Sequence, residues 1–219
     1  MVFLHSVLVS WLGIKEDRIK WINLALPAGL AFALIACQAV QPQQPSIEGR
    51  FDIGGMSLYL QCFDARTAAD TTPTVLLDHG IGRRATSEMW VAVQHQVAPF
   101  ARVCRYDRAG VGQSDPPLQL QRTGTALVEE LHQLLAAADI TGPYVLVGHS
   151  FGGHPVRLYA YRYPTEVVGM VLVDTAHEEM IDEIPLEPES LAAKAIGNEV
   201  RAAGTLGAMP LVVITRGKD

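Results

Sequence analysis

Hydrophobic positions in this 219-residue chain follow three patterns, which change in order along it. From Trp21 to Ile47 there is no charged residue, and Ile22–Val40 is largely Leu, Ala and Ile, enough to cross a bilayer. Beyond it, short apolar runs alternate with stretches of helical spacing. Arg50–Ile53 and Met56–Phe63 predict two strands joined at Gly54-Gly55, a two-residue hairpin signal. Thr74–Leu77, Arg102–Tyr106, Tyr144–Val147, Val167–Val173 and Pro210–Thr215 predict further strands. Between them, Met89–Val97 (after the candidate N-cap Ser87) and Gly124–Ala138 predict helices. The second helix sets Leu127, Leu131, Leu134 and Leu135 on one face. Another follows Gly153, with Val156, Leu158, Tyr159 and Tyr163 available for its buried side. Glu178–Gly207 is acidic, interrupted by Pro185 and Pro188, and reads as helix after Glu189.

A hairpin followed by strands alternating with helices demands an α/β fold: a mostly parallel sheet with an antiparallel N-terminal hairpin and helices on both faces. Ligands then bind beyond the carboxyl ends of the strands. His79, Asp107, Ser150, Asp174 and Asp219 fall at such ends.

Composition narrows the function. Charged residues make up 18% of the chain, below the usual share of roughly a quarter, and the apolar excess lies near the N-terminus. A net charge of −6 with no long basic run argues against nucleic-acid partners. Cys37, Cys62 and Cys104 are far apart and form no C-x-x-C pair, so no zinc site is expected. Nothing in the pattern calls for a cofactor.

Residues 1–21 form an N-terminal lead whose Lys15, Arg18 and Lys20 bias the N-terminus inward and send the rest outward. Met1–Ile14 is apolar but too short to span alone; a misplaced translation start or a membrane-surface helix accounts for it. Residues 22–40 support three readings. One is an uncleaved anchor that tolerates Pro27 and Gly29. The second is a cleaved signal, since Leu34-Ile35-Ala36-Cys37 resembles a bacterial lipoprotein box with Cys37 as the lipidated residue. The third is a buried core helix. The first two predict a membrane-attached, extracytoplasmic protein of bacterial export type. Residues 41–49, containing Gln41–Ser46, read as a polar linker, and residues 50–219 as the globular domain.

Chemistry concentrates where the Tyr144–Val147 strand runs into Gly148-His149-Ser150-Phe151-Gly152 and then a helix. In a strand–turn–helix context a G-x-S-x-G thrusts its serine onto a strained apex, with Oγ clear of the sheet. The close passage of strand and helix requires the small residues Gly148, Gly152 and Gly153. The Phe151 N–H is then aimed at an oxyanion formed on a carbonyl attacked by Ser150.

Over about Arg50–Asp219 the chain resembles the α/β-hydrolase family. The resemblance rests on four segments in order: His79-Gly80-x-Gly82, Asp107-Arg108-x-Gly110-x-Gly112-x-Ser114, the turn at Ser150, and Leu211–Asp219. It implies that Ser150 is the nucleophile and that the Ile81 N–H is a second oxyanion donor beside that of Phe151. It implies that the Asp107–Ser114 loop is a set of structural turns and that residues 178–207 hold a cap segment. Asp219 stands where the family commonly carries its catalytic acid, with Asp174 as the alternative. Because the family sheet sets the second strand beside the fourth, a Cys62–Cys104 disulfide is also implied, against two buried thiols. The family's catalytic histidine lies after one further strand. This predicts that the base is absent from the chain, and that the last strand and helix are missing.

Among the histidines present, His149 is expected to point away from the serine hydroxyl, His79 to brace its loop, and His154 to pack or lie exposed. His177 is the best stand-in for the base, with a hydrogen bond at the cap's foot as its bland reading. The leading expectation is a serine esterase-like hydrolase of small-molecule acyl substrates, acting through an acyl-enzyme. Amidase, thioesterase, lactonase and cofactor-free peroxidase chemistries stay open. The alternative is a non-catalytic, membrane-attached binding module or an inactive truncated hydrolase.

Overall fold

A computed structural model of the protein describes residues 45–64, 72–119, 122–177 and 188–217, with only the backbone course for 188–193. Seven strands build one sheet: β1 (Ile47–Asp52), β2 (Ser57–Phe63), β3 (Thr74–Asp78), β4 (Val103–Tyr106), β5 (Tyr144–His149), β6 (Val167–Val173) and β7 (Leu211–Ile214). Their order is β1-β2-β4-β3-β5-β6-β7. The β1–β2 and β2–β4 pairs are antiparallel, and the rest are parallel. The helices are α1 (Glu88–Val97), α2 (Gly124–Ala137), α3 (Gly153–Arg162) and α4 (Pro188–Ala203). This is the expected α/β architecture.

Strand residues of alternate parity serve two cores, because successive side chains leave a strand on opposite faces. Leu76, Cys104, Leu146 and Met170 join Leu127, Leu131, Val156, Tyr159, Ile196 and Val200 of α2, α3 and α4 in one cluster. Val75, Val103, Val145 and Val147 are equally buried but lie outside that cluster. On this opposite side α1 buries Trp90, Val93 and Val97. Gln94 of α1 donates from Nε2 to the Gln61 and Val103 carbonyls, 3.1 Å each, tying the helix to β2 and β4.

Some boundaries differ from expectation. β1 starts at Ile47, three residues inside the expected linker. Ile47, Gly49 and Phe51 are half-buried while Glu48, Arg50 and Asp52 are exposed, a period of two that charged residues obscured. The turn between β1 and β2 spans residues 53–56 rather than two residues. Gly54 and Gly55 both take positive φ, and Asp52 Oδ1 accepts both their N–H groups at 2.9 and 3.0 Å. Of the expected cap segment 178–207, the α4 part packs on α2 and α3. Its Glu199 accepts the Gly124 and Thr125 N–H groups at 2.8 Å each. Residues 178–187 lie outside the described residues. So do the proposed lead, the apolar stretch 22–40 with Cys37, and Asp219. Among the described residues, no helix is long and apolar enough to cross a membrane.

Cys62 and Cys104 stand directly opposite each other on β2 and β4, fully buried, and their sulfurs are joined in a disulfide.

Candidate active site

β5 ends at His149, and the chain turns through a single 3-10 turn, Ser150–Gly152, into α3. Ser150 sits at the apex with φ 52, a left-handed conformation that costs a side-chain-bearing residue about 1–2 kcal/mol. The turn is held by close backbone approach. A Cβ on Gly148 would lie 2.6 Å from the Gly152 carbonyl oxygen, and one on Gly152 would lie 2.5 Å from that of Asp78. These contacts are backbone against backbone, so nothing flexible can yield.

The loop after β3 lies against the same serine. A Cβ on Gly80 would be 3.2 Å from Ser150 Cβ and 3.6 Å from its Oγ. His79 is fully buried, and its Nδ1 is 2.9 Å from the Gly80 carbonyl oxygen. A carbonyl only accepts, so Nδ1 carries the proton. Burial, reinforced by the charge of Arg108, pushes the His79 pKa down to about 3, so the ring is neutral at pH 7. Ile81, next in the loop, is partly buried against the core.

Arg108 follows β4 and is 3% exposed, a rare condition for arginine without partners. Its Nη1 donates to Asp78 Oδ1 and to the His79 carbonyl, the latter at 2.6 Å, and Nη2 donates to the Gly80 carbonyl at 3.2 Å. The guanidinium also stands 5.0 Å over the Phe151 ring. Tyr106 donates its hydroxyl to Asp78 Oδ2 at 2.8 Å. Burial raises the Asp78 pKa, and Arg108 and Tyr106 pull against that rise. Asp107 points the other way, accepting the Ala85 N–H at 2.7 Å and the Gln113 N–H at 2.9 Å, so it ties the two loops together.

The carboxyl end of β6 delivers Asp174 beside the turn, since Val173 pairs in register with His149. Asp174 has φ 44 and accepts from Arg216 Nε at 2.7 Å. The His149 ring packs edge-on against Trp90, 6.3 Å between centroids, and burial lowers its pKa. His154 is buried against Phe151, 6.0 Å between ring centroids, and His177 is exposed after β6. Among the described residues no histidine is hydrogen-bonded to Ser150. No cluster of metal-ligating side chains is found among them. Ser150, Phe151, Ile81 and Asp174 are thus gathered at neighbouring strand ends. The sequence reading missed the buried Asp78–Tyr106–Arg108 group. Its linear trace is slight: Asp78 ends β3, and Tyr106 and Arg108 stand on either side of Asp107 where β4 ends.

A family model described as alpha/beta hydrolase fold matches residues 73–206. The chain belongs to the α/β-hydrolase family. It is 33% identical over 148 residues to a probable transporter, efuK, of Hormonema carpetanum, covering 66% of this chain and 21% of that protein. It is 30% identical over 160 residues to the uncharacterized protein YqjL of Bacillus subtilis, covering 66% and 62%. The chain therefore spans less than two thirds of either relative. Among solved structures it is similar to Est1E from Butyrivibrio proteoclasticus, determined with ferulic acid bound. The TM-score is 0.62 at 17% identity, over 75% of this chain and 77% of that one. This α/β-hydrolase fold places its candidate site where open sheets hold ligands, past the carboxyl ends of β3, β5 and β6.

Proposed function

We propose that this α/β-hydrolase chain carries the nucleophile and oxyanion site of a serine hydrolase acting on carboxylic esters or related acyl substrates. The observation that carries the reading is Ser150 at positive φ on a strand-to-helix turn, its Oγ beside Gly80. Ser150 Oγ attacks the carbonyl carbon and passes its proton to a base. The carbonyl oxygen becomes an oxyanion held by the Ile81 and Phe151 N–H groups. Collapse of the tetrahedral intermediate expels the alcohol, which takes up the proton, and leaves an acyl-enzyme that water hydrolyses. The base is a histidine, for which His177 after β6 is the best stand-in among the described residues. Asp219 is the favoured carboxylate to orient it; Asp174, already paired with Arg216, is the alternative.

The experiment is fluorophosphonate labelling of the full chain. Labelling at Ser150 that disappears in Ser150→Ala supports the hydrolase. A cooperatively folded protein that does not label favours a binding module.

We further propose that residues 22–40 attach the protein to a membrane, on the strength of their uncharged apolar length. Extracytoplasmic export and Cys37 lipidation belong to the same proposal. Release from membranes by alkaline carbonate would contradict the uncleaved anchor, and a Cys37 without lipid would contradict the lipoprotein.

A further inference from the structure

We propose that Arg108 is a positioning residue that sets the direction of the Ile81 amide by gripping the carbonyl of the same peptide unit. This rests on the reading of Ile81 as an oxyanion donor and Ser150 as the nucleophile. In a trans peptide the C=O and N–H lie in one plane and point opposite ways. The Gly80 carbonyl and the Ile81 N–H belong to one such unit. Whatever fixes that oxygen therefore fixes where the amide points.

Three donors converge on the Gly80 oxygen: His79 Nδ1 at 2.9 Å, Arg108 Nη2 at 3.2 Å and the Arg83 N–H at 3.3 Å. Arg108 also takes the preceding carbonyl, that of His79, at 2.6 Å. It thereby clamps two consecutive peptide units of the loop. The same guanidinium stands 5.0 Å over the ring of Phe151, the residue of the other proposed donor. Its ion pair with Asp78 anchors it to the end of β3. One rigid, planar group thus reaches the residues of both proposed oxyanion donors.

Charge balance alone does not require an arginine here. A lysine ammonium also neutralises Asp78, but it lacks the flat fork that holds the carboxylate and both carbonyls at once. The two roles therefore separate by substitution. Arg108→Lys keeps the charge and loses the fork. Arg108→Met combined with Asp78→Asn removes both charges and leaves no buried ion without a partner, so it serves if the lysine variant does not fold.

Each variant in the full chain is compared with wild type in three measurements. These are fluorophosphonate labelling at Ser150, turnover of a p-nitrophenyl ester, and the amide resonance of Ile81. Removing an oxyanion donor costs about 100- to 1,000-fold in kcat, so misaiming one is expected to cost about 10- to 100-fold. Labelling falls in step, KM hardly moves, the Ile81 resonance shifts, and thermal unfolding stays cooperative. Labelling and kcat within twofold of wild type in a folded variant, or an Ile81 amide that does not move, overturn the role of Arg108. Wild-type protein that never labels at Ser150 overturns the nucleophile reading beneath it, and the catalytic consequence with it.

Discussion

Gly152 shows how a single missing side chain holds the candidate site together. Its Cα faces the Asp78 peptide so closely that a Cβ would meet carbonyl oxygen at 2.5 Å. Gly152→Ala is expected to destabilise the fold by about 1–3 kcal/mol, as overpacking of a rigid contact does. It is also expected to slow labelling at Ser150, because the turn must withdraw from β3. Urea unfolding and labelling rate check the two effects. His79 makes a second prediction at this scale. Its folded pKa of about 3 lies below the unfolded value of 6.5, so unfolding takes up a proton between those limits. The resulting stability is complete above pH 6.5 and is lost as pH falls toward 3, with a slope of at most about 1.4 kcal/mol per pH unit. His79→Asn keeps a donor for the Gly80 carbonyl and does not titrate. The difference between the two pH–stability profiles should show this slope; parallel profiles would contradict it. Ser150 and its glycines were legible because neighbours in sequence supply the strain. Arg108 was not, because its burial depends on an aspartate and two carbonyls that reach it from another strand.

At the scale of elements, α4 is fastened to α2 by a carboxylate. Glu199 accepts the Gly124 and Thr125 N–H groups and the Thr125 hydroxyl, the last at 2.9 Å, at the positive end of the α2 dipole. Thr123 caps the same end, accepting the Ala126 N–H at 3.1 Å. Glu199→Ala is expected to cost about 1–2 kcal/mol in urea unfolding. Ser150 labelling should be unchanged, since none of these groups belongs to the turn. Strand spans were readable to within a few residues, because buried parallel strands are short uninterrupted apolar runs. The start of β1 was not, because charged residues occupy its outward positions. The placement of α4 was also hidden: an acidic, proline-broken sequence does not say which neighbour its apolar residues Ile196 and Val200 will meet.

For the whole molecule, the Cys62–Cys104 disulfide closes a loop across 42 positions of sequence. The chain-entropy relation gives about 4 kcal/mol for a loop of that length. Cys62→Ala with Cys104→Ala is expected to lower unfolding free energy by that order, and a mass measurement without reductant should find both thiols bonded. A double variant as stable as wild type would contradict the entropic account. The alternation of strand and helix, the antiparallel start and the G-x-S-x-G turn followed from short-range patterning, since hydrophobic period and turn chemistry act between near neighbours. Which distant groups would share a site did not. Setting β4 between β2 and β3 is what brings Cys104 against Cys62, and Arg108 against Asp78 and the Gly80 carbonyl. Strand order is a global solution to burying every apolar face at once, and no local stretch of residues encodes it.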